Sequence, residues 1–319
     1  WHNNACTNNL ASGTPNLDNP NSGLVCPIAG TGTDAATPAE DFSNETDAQH
    51  PLINIDGSSI PAAKNTVGKT IADQLAELGR SWRSYQESLP PTGADSINFS
   101  DGFFTDNPNV HPVPATESQS LIKLYAAKHD PFVYFQSVQE GQKPGLSLKQ
   151  IVGFEGARGL FEDLSSGRVP QFSLIAPNQC NDQHGRGNAG PACDFDPNDD
   201  GTQAGLNPGL IYLGDLTLRN LVKAIHSSPI WHQGQNAIVI VWDENDFSQA
   251  PNLNQVLLVV DTNYGLHGVQ SGKRYTHFSL LKSLEAGFGL PCLNHACDPG
   301  VNVMSDLFAA GDQGDNNQQ

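Results

Sequence analysis

Two carboxylates, Asp243 and Glu244, directly follow the apolar run Ala237-Ile238-Val239-Ile240-Val241-Trp242. Burying them unpaired would be costly, so they need a metal ion, basic partners or water. A second polar cluster, Asn178-Gln179-Cys180-Asn181-Asp182-Gln183-His184, follows Phe172-Ser173-Leu174-Ile175-Ala176-Pro177. Carboxylate oxygens and imidazole nitrogens together are the ligands of a divalent cation, while a single loop carboxylate such as Asp182 is more often simply solvated. His277 opens a helical pattern, where it either caps the helix or serves as a ligand. In Lys128-His129-Asp130-Pro131, the cation and imidazole either meet a phosphate or carboxylate, or only complement a helix dipole. Asp196-Pro197-Asn198-Asp199-Asp200-Gly201 reads as the first half of a calcium loop, with Asp196, Asn198 and Asp200 as candidate ligands. Its final ligand position holds Asn207 in place of Glu, so an acidic surface turn competes with calcium.

The elements that must position these groups are short. Continuous apolar runs at Phe172–Ala176, 237–242 and 256–260 read as fully buried strands. Ser81 to Ser88 also alternates like a strand. Helical spacing covers residues 67–79, with Ile71, Leu75 and Leu78 inward and Gly79 as a stop. It recurs at 121–125, at about 148–165 despite Gly153, Gly156 and Gly159, at 216–225, and from His277 to Phe288, where Gly289 and Pro291 end it. Apolar strands separated by helices predict an α/β fold with a mostly parallel central sheet and helices on both faces. In such sheets ligands bind beyond the carboxyl ends of the strands, where the two acidic clusters fall.

Composition narrows the function. The chain has 319 residues, of which 34 are Asp or Glu and 16 are Lys or Arg, for a net charge of −18. A nucleic-acid binder needs a basic face, and few residues are present to build one. No apolar run reaches the about 18 residues of a membrane-spanning helix, so no stable membrane insertion is expected. Six cysteines fall in close pairs, Cys6 with Cys26, Cys180 with Cys193 and Cys292 with Cys297. An even count at short spacing predicts disulfides and an oxidising compartment, secreted or periplasmic. Residues 1–66 read as a loop-rich segment of the same domain, 67–310 as the α/β core and 311–319 as a polar tail. Asn44-Glu45-Thr46 and Asn98-Phe99-Ser100 are glycosylation sequons, relevant only in a eukaryotic secretory pathway.

Five segments in order carry a resemblance. They are Ser81-Trp82-Arg83-Ser84-Tyr85-Gln86-Glu87-Ser88-Leu89-Pro90, Lys128-His129-Asp130-Pro131-Phe132, Ile175-Ala176-Pro177-Asn178 with Asn181-Asp182-Gln183-His184, Val241-Trp242-Asp243-Glu244-Asn245-Asp246, and Thr276-His277-Phe278-Ser279-Leu280-Leu281 with Phe288-Gly289-Leu290-Pro291. With these the chain resembles the phosphoesterase family of secreted acid phosphatases and phospholipase C-like enzymes, within the alkaline phosphatase superfamily. The resemblance implies that Asp243 and Glu244 bind metal. It implies catalytic positions lining the metal and phosphate for Asp182, His184 and His277, and a place near the substrate phosphate for His129 and Lys128. It also implies attack by a Ser or Thr hydroxyl, with a divalent metal ion as cofactor. The Glu-Asn metal motif and the His-Pro-Ser-like nucleophile segment of that family have no counterpart here, so the nucleophile is expected upstream of this chain. Thr276 and Phe278 also stand where Asn or His and Tyr are usual.

The expected function is metal-dependent hydrolysis of small phosphate esters, monoesters in particular. A phospholipase C-like phosphodiesterase and a non-catalytic secreted binding protein on a degenerate hydrolase scaffold are the alternatives.

Overall fold

A computed structural model describes residues 69–89, 129–135, 137–138, 141–178, 180–183, 208–243, 255–265 and 267–308. The expected 1–66 segment, the 121–125 helix, the 311–319 tail and Cys6, Cys26 and Cys193 lie outside the described residues. So do Lys128, His184, Asp196, Asn198, Asp200 and Glu244. The chain divides into two compact units, Trp1–Ala224 and Ile225–Gln319.

The first unit begins with helix α1, Ile71–Glu77. Thr70 caps it, and Asp73 closes a reciprocal capping box by accepting from the Thr70 backbone N–H at 2.9 Å. Strand β1, Trp82–Gln86, follows Gly79, whose φ of +67° suits the residue that lets the chain leave the helix. Strand β2 is Ile151–Gly153, helix α2 is Leu160–Ser166 and strand β3 is Phe172–Ala176. The three strands form a parallel sheet in the order β2-β1-β3. β1 is therefore central, with Trp82 opposite Phe172 and Ser84 opposite Ile151. The unit is thus α/β, and β2 to β3 runs through α2 as a parallel crossover requires.

Both faces of β1 are covered. On one face Arg83 and Tyr85 meet Asp163 of α2, with Arg83 ion-paired to the carboxylate and the Tyr85 hydroxyl donating to it at 2.7 Å. On the other face the Trp82 ring lies 4.7 Å from that of Phe132, and the Ser84 hydroxyl donates to Asp130 at 3.2 Å. That second cover is a 3-10 turn, Pro131–Tyr134, and not an α-helix. Trp82 also donates its indole N–H to the Gly145 carbonyl at 2.8 Å, satisfying the polar atom of a buried ring.

The helix expected over about 148–165 is not formed as one element. A 3-10 turn, Leu148–Gln150, leads into β2, and only Leu160–Ser166 is α-helical. Gly153, Gly156 and Gly159 interrupt the pattern, and Gly156 takes φ +81°, outside helical space. The strands are also less buried than apolar runs suggest. Every residue of β3 is half-buried, because it is paired on one side only among the described residues.

Helix α3, Pro208–Ser227, spans the division between the units. In the second unit His226 sits 2.7 Å from the Asp261 carboxylate and stacks on Trp231 with ring centroids 4.7 Å apart. Strand β4, Ala237–Val241, pairs with strand β5, Leu258–Thr262. This pair is antiparallel, with Val239 opposite Val260, and so corrects the parallel arrangement expected for these two runs. A parallel return needs a crossover element, and residues 242–257, rich in Asn, Asp and Gln and holding Pro251, carry no helical periodicity to supply one. Helix α4, His277–Phe288, opens on a Thr276–Ser279 capping box and stops at Gly289 with φ +70°. A disulfide joins Cys292 to Cys297, and helix α5, Ser305–Phe308, follows. No helix among the described residues is long and apolar enough to cross a membrane.

Candidate active site

In the first unit the polar groups collect at the carboxyl ends of β1 and β3. The residue after β1 is Glu87, which is 1% exposed. Its carboxylate accepts from the Asn178 backbone N–H at 2.9 Å and from the Asn181 side-chain amide at 2.8 and 2.9 Å. Ser88, held at φ +58°, accepts from the Asn178 side-chain amide at 3.0 Å. Asn178 in turn accepts from the Cys180 N–H at 2.9 Å through its side chain, and from Asn181 N–H at 2.9 Å through its carbonyl. The loop after β3 is thereby tied to the end of β1 by two buried asparagines. Cys180 within it is buried and disulfide-bonded.

Asp182 follows Asn181 along this loop. Its carboxylate lies 3.8 Å from Nδ1 of His129, and both side chains are mostly buried, at 15% and 27% exposed. Behind His129, Asp130 is fully buried and accepts from Phe132 N–H and Ser84 Oγ, both at 3.2 Å. Burial pushes the Asp130 carboxyl up to about 7, against the pull of those two hydrogen bonds. Gln183, at φ +72°, reaches the Ile211 carbonyl of α3 at 3.4 Å. Gly214 of α3 leaves room for it, since a Cβ there would strike Gln183 and come within 3.1 Å of the Asn181 carbonyl.

In the second unit Asp243 is exposed just beyond β4. His277, the first residue of α4, donates from Nε2 to the Asp243 carbonyl oxygen at 2.7 Å. A carbonyl can only accept, so Nε2 carries a proton and is the donor. Tyr275 and Ser271 both donate to Asp306, the latter at 2.6 Å, and fix the chain that leads into this histidine. Those bonds hold the Asp306 carboxyl down at about 2.

Of the residues singled out from sequence, the structure brings His129 to Asp182 and His277 to Asp243. Among the described residues no three His, Cys, Asp or Glu side chains converge as a metal site. Asp243 offers a hard carboxylate oxygen and His277 an imidazole nitrogen, donor types that could serve a divalent cation. Glu87, Asn178 and Asn181, which tie the loop carrying Asp182 to β1, are not among the residues the sequence singles out for a role. The signal for Glu87 was the one used for Asp243: a carboxylate immediately after a strand.

Comparison with known proteins fits this arrangement. The chain is 26% identical to an acid phosphatase of Aspergillus fumigatus over 236 residues, which is 74% of this chain and 42% of that protein. It is 26% identical to an acid phosphatase of Aspergillus niger, over 75% of this chain and 46% of the relative. It is 26% identical to a phosphate-repressible acid phosphatase of Penicillium chrysogenum, over 74% and 45%. The chain thus spans less than half the length of these curated relatives. A sequence model of the Phosphoesterase family matches residues 10–192, more than half of the chain and inclusive of Glu87, His129, Asn178 and Asp182. On that match the chain belongs to the Phosphoesterase family.

Proposed function

We propose that this chain forms part of a metal-dependent phosphate-ester hydrolase of alkaline phosphatase-like architecture that acts on monoesters. The observation that carries the reading is the His129–Asp182 pair at the carboxyl edge of a parallel sheet, in a chain belonging to the Phosphoesterase family. The names of the fungal relatives support phosphomonoesters as the substrate class. Asp243, Glu244 and His277 would hold a divalent cation, which when bound neutralises charge on the phosphoryl group. His129, beside the Asp182 carboxylate at Nδ1, would when protonated on both nitrogens donate from Nε2 to phosphoryl oxygens. Lys128, next in sequence, would add a positive charge to the same task. The disulfide and acidic composition support a secreted or periplasmic location.

The test is steady-state hydrolysis of p-nitrophenyl phosphate and of bis(p-nitrophenyl) phosphate by the full-length protein. Turnover of the monoester is expected, with loss on chelation and return on adding a divalent cation. Asp243→Ala is expected to lower kcat/KM by roughly a thousandfold, the size seen when a transition-state charge stabiliser is lost. Preference for the diester favours the phosphodiesterase reading, and turnover indifferent to both chelation and Asp243→Ala overturns the metal assignment.

A further inference from the structure

We propose that Glu87 is a positioning residue, a buried carboxylate at the end of the central strand that fixes Asn178 and Asn181 so that Asp182 stands against His129. The activity part of the claim rests on the hydrolase reading above. A carboxylate that is 1% exposed is expensive to keep, so its partners reveal its task. All three donor contacts given above come from one loop, and they come from 91 and 94 residues away. Charge-assisted bonds of this kind are stronger than neutral ones and are directional. They bind Asn178 at its backbone and Asn181 at its side chain, while Asn178 also holds Ser88 and the Cys180 N–H.

Asp182 is covalently next to Asn181. Its Cα therefore stays about 3.8 Å from a residue that Glu87 holds fixed. From the other side Gly214 of α3 lets Gln183 lie against the helix. The loop is gripped on both flanks, and the side chain between the grips is the one 3.8 Å from His129. A small neutral residue would join strand to loop at lower desolvation cost. A carboxylate can take donors from both asparagines at once, and so sets the register of the loop as well as its attachment.

Glu87→Gln keeps the volume but turns an NH2 group toward donors, so one bond becomes a repulsion. In the full-length protein, with p-nitrophenyl phosphate as substrate, kcat is expected to fall roughly 100-fold, as for a misplacement of about 1 Å. KM should stay close to that of the wild type. Amide hydrogen exchange should quicken at Asn178, Cys180 and Asn181 and stay unchanged in β1. Pairing Glu87→Gln with Asn181→Asp reverses the polarity of the side-chain bond and should restore much of the turnover, which a general loss of stability would not allow. Unchanged kcat in Glu87→Gln overturns the proposal, as does a loss of kcat with unaltered exchange at residues 178–181. If Glu87→Gln does not fold, Asn181→Ala removes the same contact from the other side and carries the same two expectations. If the wild type does not hydrolyse the ester, the hydrolase reading fails. The exchange comparison then decides the positioning claim by itself, and protection unchanged by the substitution overturns it.

Discussion

The guanidinium of Arg83, the phenol of Tyr85 and the carboxylate of Asp163 make a buried three-way contact on one face of β1. Asp163 is 2% exposed at its side chain and Arg83 11%. Burial raises the Tyr85 pKa to about 12, so the phenol keeps its proton across the working range, and burial lowers that of Arg83. Removing the cation leaves a buried negative charge with only a hydroxyl donor. Arg83→Met is therefore expected to cost about 3–5 kcal/mol of folding stability, against about 1 kcal/mol for Tyr85→Phe. Urea unfolding of the two variants beside the wild type checks the ordering, and equal losses would show that the charge is not what the contact supplies. Neither role was legible in sequence. Ser81 to Ser88 reads as an alternating strand, but the partner of Arg83 lies 80 residues away.

Two helical glycines separate local from tertiary effects at the scale of elements. Replacing an interior helix glycine by alanine ordinarily stabilises by about 1 kcal/mol. Gly287 of α4 faces open space, so Gly287→Ala should follow that rule. Gly214 of α3 is buried against Gln183 and the Asn181 carbonyl, so Gly214→Ala should reverse the sign and displace the loop that carries Asp182. Thermal unfolding of both variants, with ester turnover for the second, tests this. A stabilised Gly214→Ala with full turnover would mean that α3 does not hold the loop. The same scale shows where sequence reading works. Helix ends were readable because Gly79 and Gly289 are stop signals that act on their own neighbours. The span 148–165 was not readable, because its apolar spacing suits a helix while β2 is drawn into the sheet by pairing with β1.

For the whole molecule, buried carboxyls give stability a pH dependence of definite sign. Asp130 is raised to about 7 and Glu285 is raised by burial in the same way. In the folded state each binds its proton more tightly than in the unfolded chain. Unfolding free energy therefore falls as pH rises from about 4 toward about 7, then levels off. Asp306, lowered to about 2, acts oppositely: its contribution is present above about pH 4 and is lost as pH falls toward 2. Maximal stability is expected at mildly acid pH. Asp130→Asn should flatten part of the decline between about pH 4 and about pH 7, with a ceiling of about 4 kcal/mol for the group. Circular-dichroism melts across that range check both points, and a stability maximum above neutral pH contradicts them. The sequence by itself determined that carboxylates and histidines stand at strand ends and helix starts, because an apolar run followed by a charge is a local pattern. It also carried the family, through short motifs in order. Only the tertiary structure decided that β1 is the central strand, that β4 and β5 run antiparallel, and that Glu87 is bonded to the loop carrying Asp182. Those outcomes depend on which distant segments share hydrogen bonds and exclude water together, and no stretch of neighbouring residues encodes that choice.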